Sequence, residues 1–395
     1  MMNKTNLILS VLIAIVFNVN AQWAIQTSGT SNALYSVCFS APDTGYAVGW
    51  NGTIVKTING GTLWAPQSSG TTAILNAVYC INNNIAYVAG NDGTLLKTLN
   101  GGSNWNSRNS GTIYSLNSIY FTSPDTGYTV GAFGTIMKTI DSGANWTALS
   151  SGTTEYLFSV LFTDAHTGYA VGNNGTIIKT TNAGSSWSTQ TSGTTNSLYS
   201  VYFTGTDTGY AVGYGGTILK TINGGANWTS QTLGTAPYTS VYFTSANTGY
   251  IVGVVGMIQK TANAGATWTV QTSGSFEVLQ SVFFTDDINI GYIAGQQGTI
   301  LKTTNAGAGF EENPISWNIR IYPNPADEVI TLSVDPANQM NHTVNIYNII
   351  GELIKTETLT HNDQEINISS LTNGIYIVEV RSMDLSEKQM LVIQR

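Results

Sequence analysis

One stretch, residues 52–64, recurs six more times along the chain and constrains the fold more than any other feature. Each copy is an apolar, β-branched run with period-two alternation, then Asn or Asp with Gly, then an aromatic residue. This pattern predicts a strand, a tight turn and the start of the next strand. The other copies lie at residues 93–105, 134–146, 175–187, 216–228, 256–268 and 298–310.

The repeat length of about 41 residues is typical of four-stranded propeller blades. In the first unit we predict strands a to d at residues 36–40, 46–49, 53–58 and 64–68. Strand d begins with an aromatic residue, and the earliest such strand, at Trp23, has no strands a to c before it. The last a-to-c set lacks a proper strand d, because Phe310 runs into Glu-Glu-Asn-Pro. We therefore predict an all-β fold in which residues 22–310 form a seven-bladed β-propeller closed by the N-terminal strand.

The charge pattern argues against nucleic-acid binding. Charged residues make up only 9% of the chain, and its formal net charge is -8. Residues 22–310 hold ten acidic and eight basic residues, a net charge of -2. A nucleic-acid interface needs a dense basic patch, and the bases are spread thinly here.

The N-terminus has the pattern of a secretory signal peptide over residues 1–21. Lys4 is followed by an apolar run at residues 7–17 that is too short to cross a bilayer, and small residues precede a cleavage site after Ala21. No other run has membrane-spanning length, so we expect a secreted or surface-attached protein without a transmembrane segment.

The two cysteines, Cys38 and Cys80, fall at adjacent rather than equivalent positions of two repeats. Neighbouring positions on a strand point to opposite faces of a sheet. We therefore expect two buried free thiols and no disulfide bond.

The spacing Thr57-x-Asn59-x-Gly61-x-x-Trp64 resembles the Asp-box of sialidases and related propellers, although only Asp141 keeps the Asp. The larger unit, residues 45–64, resembles the BNR-like repeats of the photosystem II assembly and stability factor family. That resemblance implies a seven-bladed propeller over residues 22–310. It implies little about function, because propellers host many activities.

After a linker at residues 311–316 the repeats stop, and seven short strand-like runs predict a small immunoglobulin-like β-sandwich over residues 317–395. This segment resembles the type A sorting domain of the Bacteroidota type IX secretion system. The resemblance implies the type IX secretion machinery as a partner and export to the cell surface or medium. The alternative is an accessory immunoglobulin-like domain that stays on the mature protein. The residues that carry the resemblance are Tyr322, Pro323, Asn324, Pro325, Gly351, Gly374 and Lys388.

We assign no catalytic, cofactor-binding or metal-binding residue. A sialidase site needs three arginines, and the predicted propeller has one, Arg108; its only histidine, His166, replaces a turn residue. The alternative function is that of a polysaccharide-degrading glycoside hydrolase. Such an enzyme needs two carboxylates in one cleft, and the sequence offers a few candidates. Outside the recurrent turns the candidates are Asp92, Glu155 and Glu277.

One lysine occupies the same position in every repeat. A ring of positive charge would suit an anionic partner. The alternative is structural, with each stem packed along an aromatic ring between blades. We favour the structural interpretation, because every repeat has the residue. The lysines are Lys56, Lys97, Lys138, Lys179, Lys220, Lys260 and Lys302.

Ligand binding is expected where the repeats differ. The b–c hairpin tips and the d-to-a segments vary and are predicted to share one face, whereas the Asp-box and a–b turns share the other. Aromatic residues among Asn and Gln favour a glycan or a surface protein as the ligand. The alternatives are neutral drift on loops and aromatic rings buried between blades. The candidate residues are Tyr35, Trp50, Asn91, Phe133, Phe158, Tyr199, Tyr214 and Glu277.

Overall fold

The computed structural model describes residues 22–307, 319–334, 342–348, 351–361, 363–382 and 385–395. The chain divides into two compact units, with the boundary between Gly309 and Phe310. Among the described residues, no helix has the length and apolar character needed to cross a membrane. The predicted signal peptide with its cleavage site at Ala21, and the predicted linker at residues 311–316, lie outside the described residues.

The first unit consists of strands joined by short turns. Blade 7 takes β1 (Ala24–Gln26). Blade 1 contains β2 (Leu34–Phe39), β3 (Gly45–Gly49), β4 (Ile54–Thr57) and β5 (Ala65–Gln67). Blade 2 contains β6 (Leu75–Cys80), β7 (Ala86–Gly90), β8 (Leu95–Thr98) and β9 (Asn106–Arg108). Blade 3 contains β10 (Leu116–Phe121), β11 (Gly127–Gly131), β12 (Ile136–Thr139) and β13 (Thr147–Leu149). Blade 4 contains β14 (Leu157–Phe162), β15 (Gly168–Gly172), β16 (Ile177–Thr180) and β17 (Ser188–Gln190). Blade 5 contains β18 (Leu198–Phe203), β19 (Gly209–Gly213), β20 (Thr217–Thr221) and β21 (Thr229–Thr232). Blade 6 contains β22 (Tyr238–Phe243), β23 (Gly249–Gly253), β24 (Ile258–Thr261) and β25 (Thr269–Gln271). Blade 7 ends with β26 (Leu279–Phe284), β27 (Gly291–Gly295) and β28 (Ile300–Thr303).

The ring closes as predicted. Each blade is an antiparallel four-stranded sheet, and blade 7 has the order β1-β28-β27-β26. Ala24 pairs with Lys302 and Gln26 with Ile300, so a strand from the start of the chain supplies the outer strand of the last blade. The seven-bladed propeller closed by its N-terminal strand is thus confirmed.

Three aromatic rings fill each typical interface between blades. Phe39 of blade 1 stacks on Tyr292 of blade 7 with ring centroids 3.8 Å apart, and Trp64 meets Phe39 edge-on at 5.9 Å. All three rings are buried. Gly45 is required opposite Phe39, because a Cβ there would lie 2.7 Å from the ring. These rings make the blade-to-blade core, since aromatic residues bury the most apolar area and favour such stacked and edge-on pairs.

Serine side chains join the inner strands around the centre of the ring. The hydroxyl oxygen of Ser36 accepts a hydrogen bond from the backbone N–H of Val78 in the next blade at 3.1 Å. The same bond recurs at five other interfaces. In blade 2 this serine is replaced by Ala77. The serines therefore satisfy backbone donors at the open edge of each inner strand, which is otherwise a site for unwanted pairing.

The prediction of free thiols was wrong, because Cys38 and Cys80 form a disulfide bond between blades 1 and 2. Cys80 occupies the position of Phe39, which points to the preceding blade. Cys38 occupies the position of Tyr79, whose hydroxyl donates to Phe121 O of the following blade. Opposite faces of neighbouring blades pack against each other, so thiols that point in opposite directions from their own sheets meet. Their Cα atoms are 6.0 Å apart, within the usual range for a disulfide.

The second unit is a two-sheet sandwich, as predicted. Its core consists of buried aliphatic side chains such as Ile330, Val344 and Val378 from both sheets. One sheet has the order β29-β30-β33 and the other the order β32-β31-β34-β35. The strands are β29 (Arg320–Tyr322), β30 (Val329–Ser333), β31 (His342–Asn348), β32 (Leu353–Leu359), β33 (Asp363–Asn367), β34 (Gly374–Ser382) and β35 (Leu385–Ile393).

Asn324 holds the last strand of the chain in place. Its side-chain amide donates to Met390 O at 2.7 Å, and its side-chain oxygen accepts from Val392 N at 2.9 Å. Ala326 continues this contact, because its N–H donates to Val392 O at 2.8 Å. The motif that precedes β30 is therefore a clamp on β35.

Replacing Asn324 with alanine should destabilise the sandwich by about 1 to 3 kcal/mol, because two backbone groups of β35 lose their partner. Chemical denaturation followed by far-UV circular dichroism would measure the change. Asn345→Ala is the control, since the Asn345 side chain accepts a hydrogen bond from the exposed side chain of Thr356 in the neighbouring strand. Equal stability of Asn324→Ala and the parent protein would contradict the clamp.

Candidate functional site

The propeller has two different faces, as the alternation of strand directions predicts. On one face the b–c tip contacts the d-to-a segment, since Gly52 N donates to Ala73 O at 2.8 Å. On the other face the Asp-box turn contacts the a–b turn, since Gly60 N donates to Asp43 O at 2.9 Å. We call the first the variable face and the second the uniform face. The variable face comprises residues 27–33, 50–52, 68–74, 91–93, 109–115, 132–134, 150–156, 173–175, 191–197, 214–216, 232–237, 254–256, 272–278 and 296–298.

The Asp-box turns on the uniform face are held by their own side chains. The Thr57 hydroxyl donates to the side-chain oxygen of Asn59 at 3.0 Å and accepts from Gly61 N at 2.9 Å. In blade 3 the Thr139 hydroxyl likewise donates to the Asp141 side chain and accepts from Gly143 N. The hydrogen bond from the backbone of Asn145, with further bonds from the Asn145 and Thr139 side chains, lowers the pKa of Asp141 to about 2. These polar side chains therefore stabilise their own turns, and their hydrogen bonds are made within the turn.

The ring of lysines also serves the structure, as favoured from the sequence. The Lys56 ammonium lies 5.5 Å from the centroid of the Tyr46 ring, and the same pair occurs in all seven blades at 5.0 to 5.8 Å. Lys56 Nζ donates to Gly101 O of the next blade at 2.6 Å, and Lys302 Nζ donates to Gly60 O at 2.6 Å across the ring closure. Burial lowers the pKa of Lys56 and of Lys302. The ammonium groups thus join neighbouring blades, by a cation–π contact within the blade and a hydrogen bond to the next one, instead of extending fully into solvent. The lysines for which this bond is seen are Lys56, Lys97, Lys138, Lys179, Lys220 and Lys302.

The candidate carboxylates are attached to different blades. Asp92 lies at the tip of blade 2. The backbone oxygen of Glu155 accepts from Gly134 N of the blade 3 tip, and that of Glu277 accepts from Gly256 N of the blade 6 tip. There is no group of three or more His, Cys, Asp or Glu side chains in the described part of the chain that is arranged to hold a metal ion.

The candidate ligand residues divide by exposure. Trp50, Phe133 and Tyr214 expose 50, 56 and 56% of their surface at the b–c tips. Tyr35, Asn91, Phe158, Tyr199 and Glu277 are half-buried. Asn91 accepts a hydrogen bond from the side chain of Asn76 within its own blade at 2.9 Å. Only part of the predicted set is therefore freely available on the variable face.

Phe133 is the centre of an exposed aromatic cluster. Its ring centroid lies 5.0 Å from that of Tyr114 and 5.0 Å from that of Tyr156. Tyr156 was missed as a candidate. In the structure the innermost strand of each blade begins two residues earlier than predicted, and the residue just before it is aromatic only in blade 4. In the other blades this residue is Ala33, Ile74, Ser115, Ser197, Pro237 or Val278.

The second residue of every b–c tip has a left-handed backbone. Four blades have Asn, Asp or Gly there, the residues that adopt this conformation at least cost. Phe133 has φ 54° and Val255 has φ 55°, and both are exposed. A bulky residue in this region costs about 1 to 2 kcal/mol, and more for a β-branched one such as Val255.

The sorting-motif residues lie at several points of the sandwich. Tyr322 ends β29, Gly374 begins β34, and Gly351 has φ 85°. Lys388 lies in β35 and forms an ion pair at 3.3 Å with Glu379, whose side chain is only 2% exposed. Burial alone would raise the pKa of Glu379, but the Tyr347 hydrogen bond and the contacts with Lys388 and Arg381 together lower it. A buried carboxylate thus fixes an exposed basic pair on β34 and β35.

Comparison with known proteins supports both resemblances found in the sequence. Residues 320–394 match the family described as the secretion system C-terminal sorting domain. Such a tail implies recognition by the type IX secretion machinery and export to the surface or medium. No curated protein matches the sequence.

Two solved propellers are similar in structure. One is described as YCF48 bound to D1 peptide; it is 21% identical with a TM-score of 0.63, and the match covers 72% of this chain and 95% of that one. The other is YCF48 from Cyanidioschyzon merolae; it is 20% identical with a TM-score of 0.60, and the match covers 71% of this chain and 98% of that one. At this identity the likeness establishes the fold.

Overlapping matches to the repeat family extend from residue 16 to residue 352, at residues 16–112, 108–191, 141–237, 185–269 and 234–352. The chain therefore belongs to the family of the photosynthesis system II assembly factor YCF48, with its BNR-repeat propeller.

Proposed function

We propose that this protein is a non-catalytic binding module that is exported by type IX secretion and meets its ligand on the variable face of the propeller. The observation that carries the proposal is the difference between the two faces. The uniform face commits its recurrent polar side chains to turns and blade contacts, and the apolar residues that it exposes, such as Ile58 and Ile140, are aliphatic. The variable face exposes the aromatic rings of Trp50, Phe133 and Tyr214. Exposed aromatic residues are typical of binding surfaces, because they bury a large area at a small cost in entropy.

Export is supported by two independent features. The first is the C-terminal match to the sorting domain at residues 320–394. The second is the disulfide between Cys38 and Cys80. Disulfide bonds form and persist in oxidising compartments outside the cytosol. The sorting domain and the disulfide therefore favour the same destination.

Binding is favoured over hydrolysis by the placement of the acids. A glycoside hydrolase needs two carboxylates on opposite sides of one sugar bond. Asp92, Glu155 and Glu277 are attached to blades 2, 3 and 6. A solved propeller of similar fold is described as bound to a peptide, which is a binding role rather than a catalytic one.

The export half of the proposal is tested by removing residues 317–395 in a cell that carries the secretion system. The full chain should appear in the medium or at the cell surface, and the shortened chain should stay inside. A second variant, Asn324→Ala, weakens the attachment of β35 and should reduce export even if the deletion alters folding. Phe133→Asn is the matched control and should be exported normally. Normal export of the shortened chain would contradict the proposal.

The claim that the module is non-catalytic is tested by incubating the purified chain with polysaccharides and measuring released reducing sugar. We expect no release above that of a heat-denatured sample. Sugar release that is lost in Glu155→Gln or Asp92→Asn would replace the binding proposal with the hydrolase.

A further inference from the structure

Of the six exposed aromatic residues that the structure describes on the variable face, four lie on blades 3 to 5, and the other two are Trp50 and Phe276. Two half-buried rings at the start of inner strands, Phe158 and Tyr199, extend this group on blades 4 and 5. We call this set the aromatic arc, and it comprises Tyr114, Phe133, Tyr156, Phe158, Tyr199 and Tyr214. Tyr114, Phe133 and Tyr214 are each more than 40% exposed.

Five rings of the arc form two groups of rings in contact. Tyr114, Phe133 and Tyr156 follow one another at centroid distances of 5.0 Å. Phe158 and Tyr199 are 5.3 Å apart on neighbouring inner strands. Tyr156 and Phe158 flank the buried Leu157 and so connect the two groups along the chain. The rings are tilted against one another by 56 to 61°, so the result is a row of inclined rings across neighbouring blades.

Phe133 occupies its position at a cost to the fold. Its φ of 54° is the left-handed region, and the equivalent residues in blades 1 and 4 are Asn51 and Asn174. Asparagine tolerates this conformation better than phenylalanine, and an exposed ring gains little from burial. A strained residue that projects an apolar ring into solvent is a reason to infer a function for that ring.

The charges of the variable face limit the ligand. The segments that form it contain three acids, Asp92, Glu155 and Glu277, and neither lysine nor arginine. An anionic polymer needs basic side chains for its carboxylates, sulfates or phosphates. Neutral polar side chains lie beside the arc instead, with Asn117 in β10 and Asn196 and Ser197 in a connection. Each donates a hydrogen bond within the propeller, to Leu157 O, Thr217 Oγ1 and Asn173 Oδ1 in turn, so these side chains are held in place beside the rings.

Backbone groups at the arc are already bonded, which disfavours an added peptide strand. Ala132 N donates to Ser115 O at 2.9 Å, Asn173 N to Tyr156 O at 2.9 Å and Tyr214 N to Ser197 O at 2.8 Å. A peptide that binds by strand addition needs free N–H and C=O groups on a sheet edge.

We infer that the aromatic arc binds a neutral polysaccharide, with sugar rings stacked on Phe133 and its two tyrosine neighbours and sugar hydroxyls bonded to the amides and hydroxyls beside them. The inference rests on the proposed binding function of the variable face and specifies its ligand class. A row of rings suits a linear polymer, so longer oligosaccharides should bind more tightly than short ones.

The test uses the purified full chain and soluble β-glucan, xylan, mannan and starch as probes, with alginate and polygalacturonate as anionic comparisons. Affinity electrophoresis and calorimetry would measure binding. At least one neutral polymer should bind, and Phe133→Asn and Tyr156→Ala should each weaken its binding by about tenfold or more. Binding should change little between low and high salt, since no formal charge is paired.

Val255→Asn is the matched control. Val255 holds the same left-handed tip position in blade 6, is 67% exposed and lies outside the arc. It should leave binding unchanged. The melting temperature of Phe133→Asn should equal or exceed that of the parent, because asparagine relieves the left-handed strain, and this separates lost binding from lost folding.

The inference is overturned if none of the neutral polymers binds, if an anionic polymer is preferred, or if Phe133→Asn binds as well as the parent chain. Binding of a peptide at the arc in place of a polysaccharide would also overturn it. The proposed binding function would still stand if the protein binds an anionic polymer, binds without Phe133 or binds a peptide. Failed export or released sugar would overturn the proposed function itself.

Discussion

Replacing Trp23 with alanine should destabilise the propeller by about 3 to 5 kcal/mol, the usual cost of removing a buried tryptophan. Trp23 is fully buried and meets Tyr250 of blade 6 and Phe284 of blade 7 edge-on, at 6.2 and 5.8 Å. It directly precedes β1, the strand that closes the ring. The loss therefore weakens both a core contact and the attachment of the closing strand.

Urea denaturation followed by tryptophan fluorescence would measure this change, because eight of the nine tryptophans lie in residues 22–310. Ile25→Ser is the matched control: Ile25 lies within β1, but its side chain is 64% exposed. The control should unfold at nearly the parent urea concentration. A Trp23→Ala protein as stable as that control would show that ring closure does not depend on this residue.

The closure of the ring was predictable because strand signals can be counted. Trp23 begins a strand d without a preceding a-to-c set, and the set ending at β28 lacks its own strand d. Each signal depends on local spacing, so one sequence suffices to detect it. The role of the lysines was predictable for a similar reason, since a residue present in every blade points to a contact that every blade makes.

The disulfide was not predictable by the same reasoning. Strand alternation gives the direction of Cys38 and Cys80 relative to their own sheets, but not which faces of two sheets meet. Tyr79 is equivalent to Cys38, and Phe39 is equivalent to Cys80. Their contacts in the folded propeller show which neighbouring blade each thiol faces, and this information is absent from the sequence. The aromatic arc could not be predicted for the same reason, because Tyr114, Phe133 and Tyr156 come from three separate segments that the tertiary fold brings together.

The sequence of blade 2 is adapted to the disulfide. Cys80 replaces the phenylalanine that fills the other blade interfaces, and Ala86 replaces the glycine that faces this ring in the other six blades. With the ring absent, a methyl group fits where Gly45 of blade 1 leaves no room for a Cβ. Blades 1 and 2 therefore exchange part of an aromatic interface for a covalent bond.

Removal of this bond should lower the free energy of unfolding of the propeller by about 2 to 4 kcal/mol. The cysteines are 42 residues apart, and a cross-link of that length restricts the unfolded chain substantially. The lost Phe–Tyr stacking at this interface also leaves less packing to compensate. Urea denaturation with and without a reducing agent would measure the difference.

The double variant Cys38→Ala/Cys80→Ala is the control, because its stability should not respond to the reducing agent. Peptide mapping of the unreduced protein should recover the two cysteines in one linked fragment. Alkylation of both thiols in protein isolated from an oxidising medium, without prior reduction, would contradict the disulfide. In that outcome, the interface of blades 1 and 2 would be the least packed of the ring, and we would expect proteolysis to begin there.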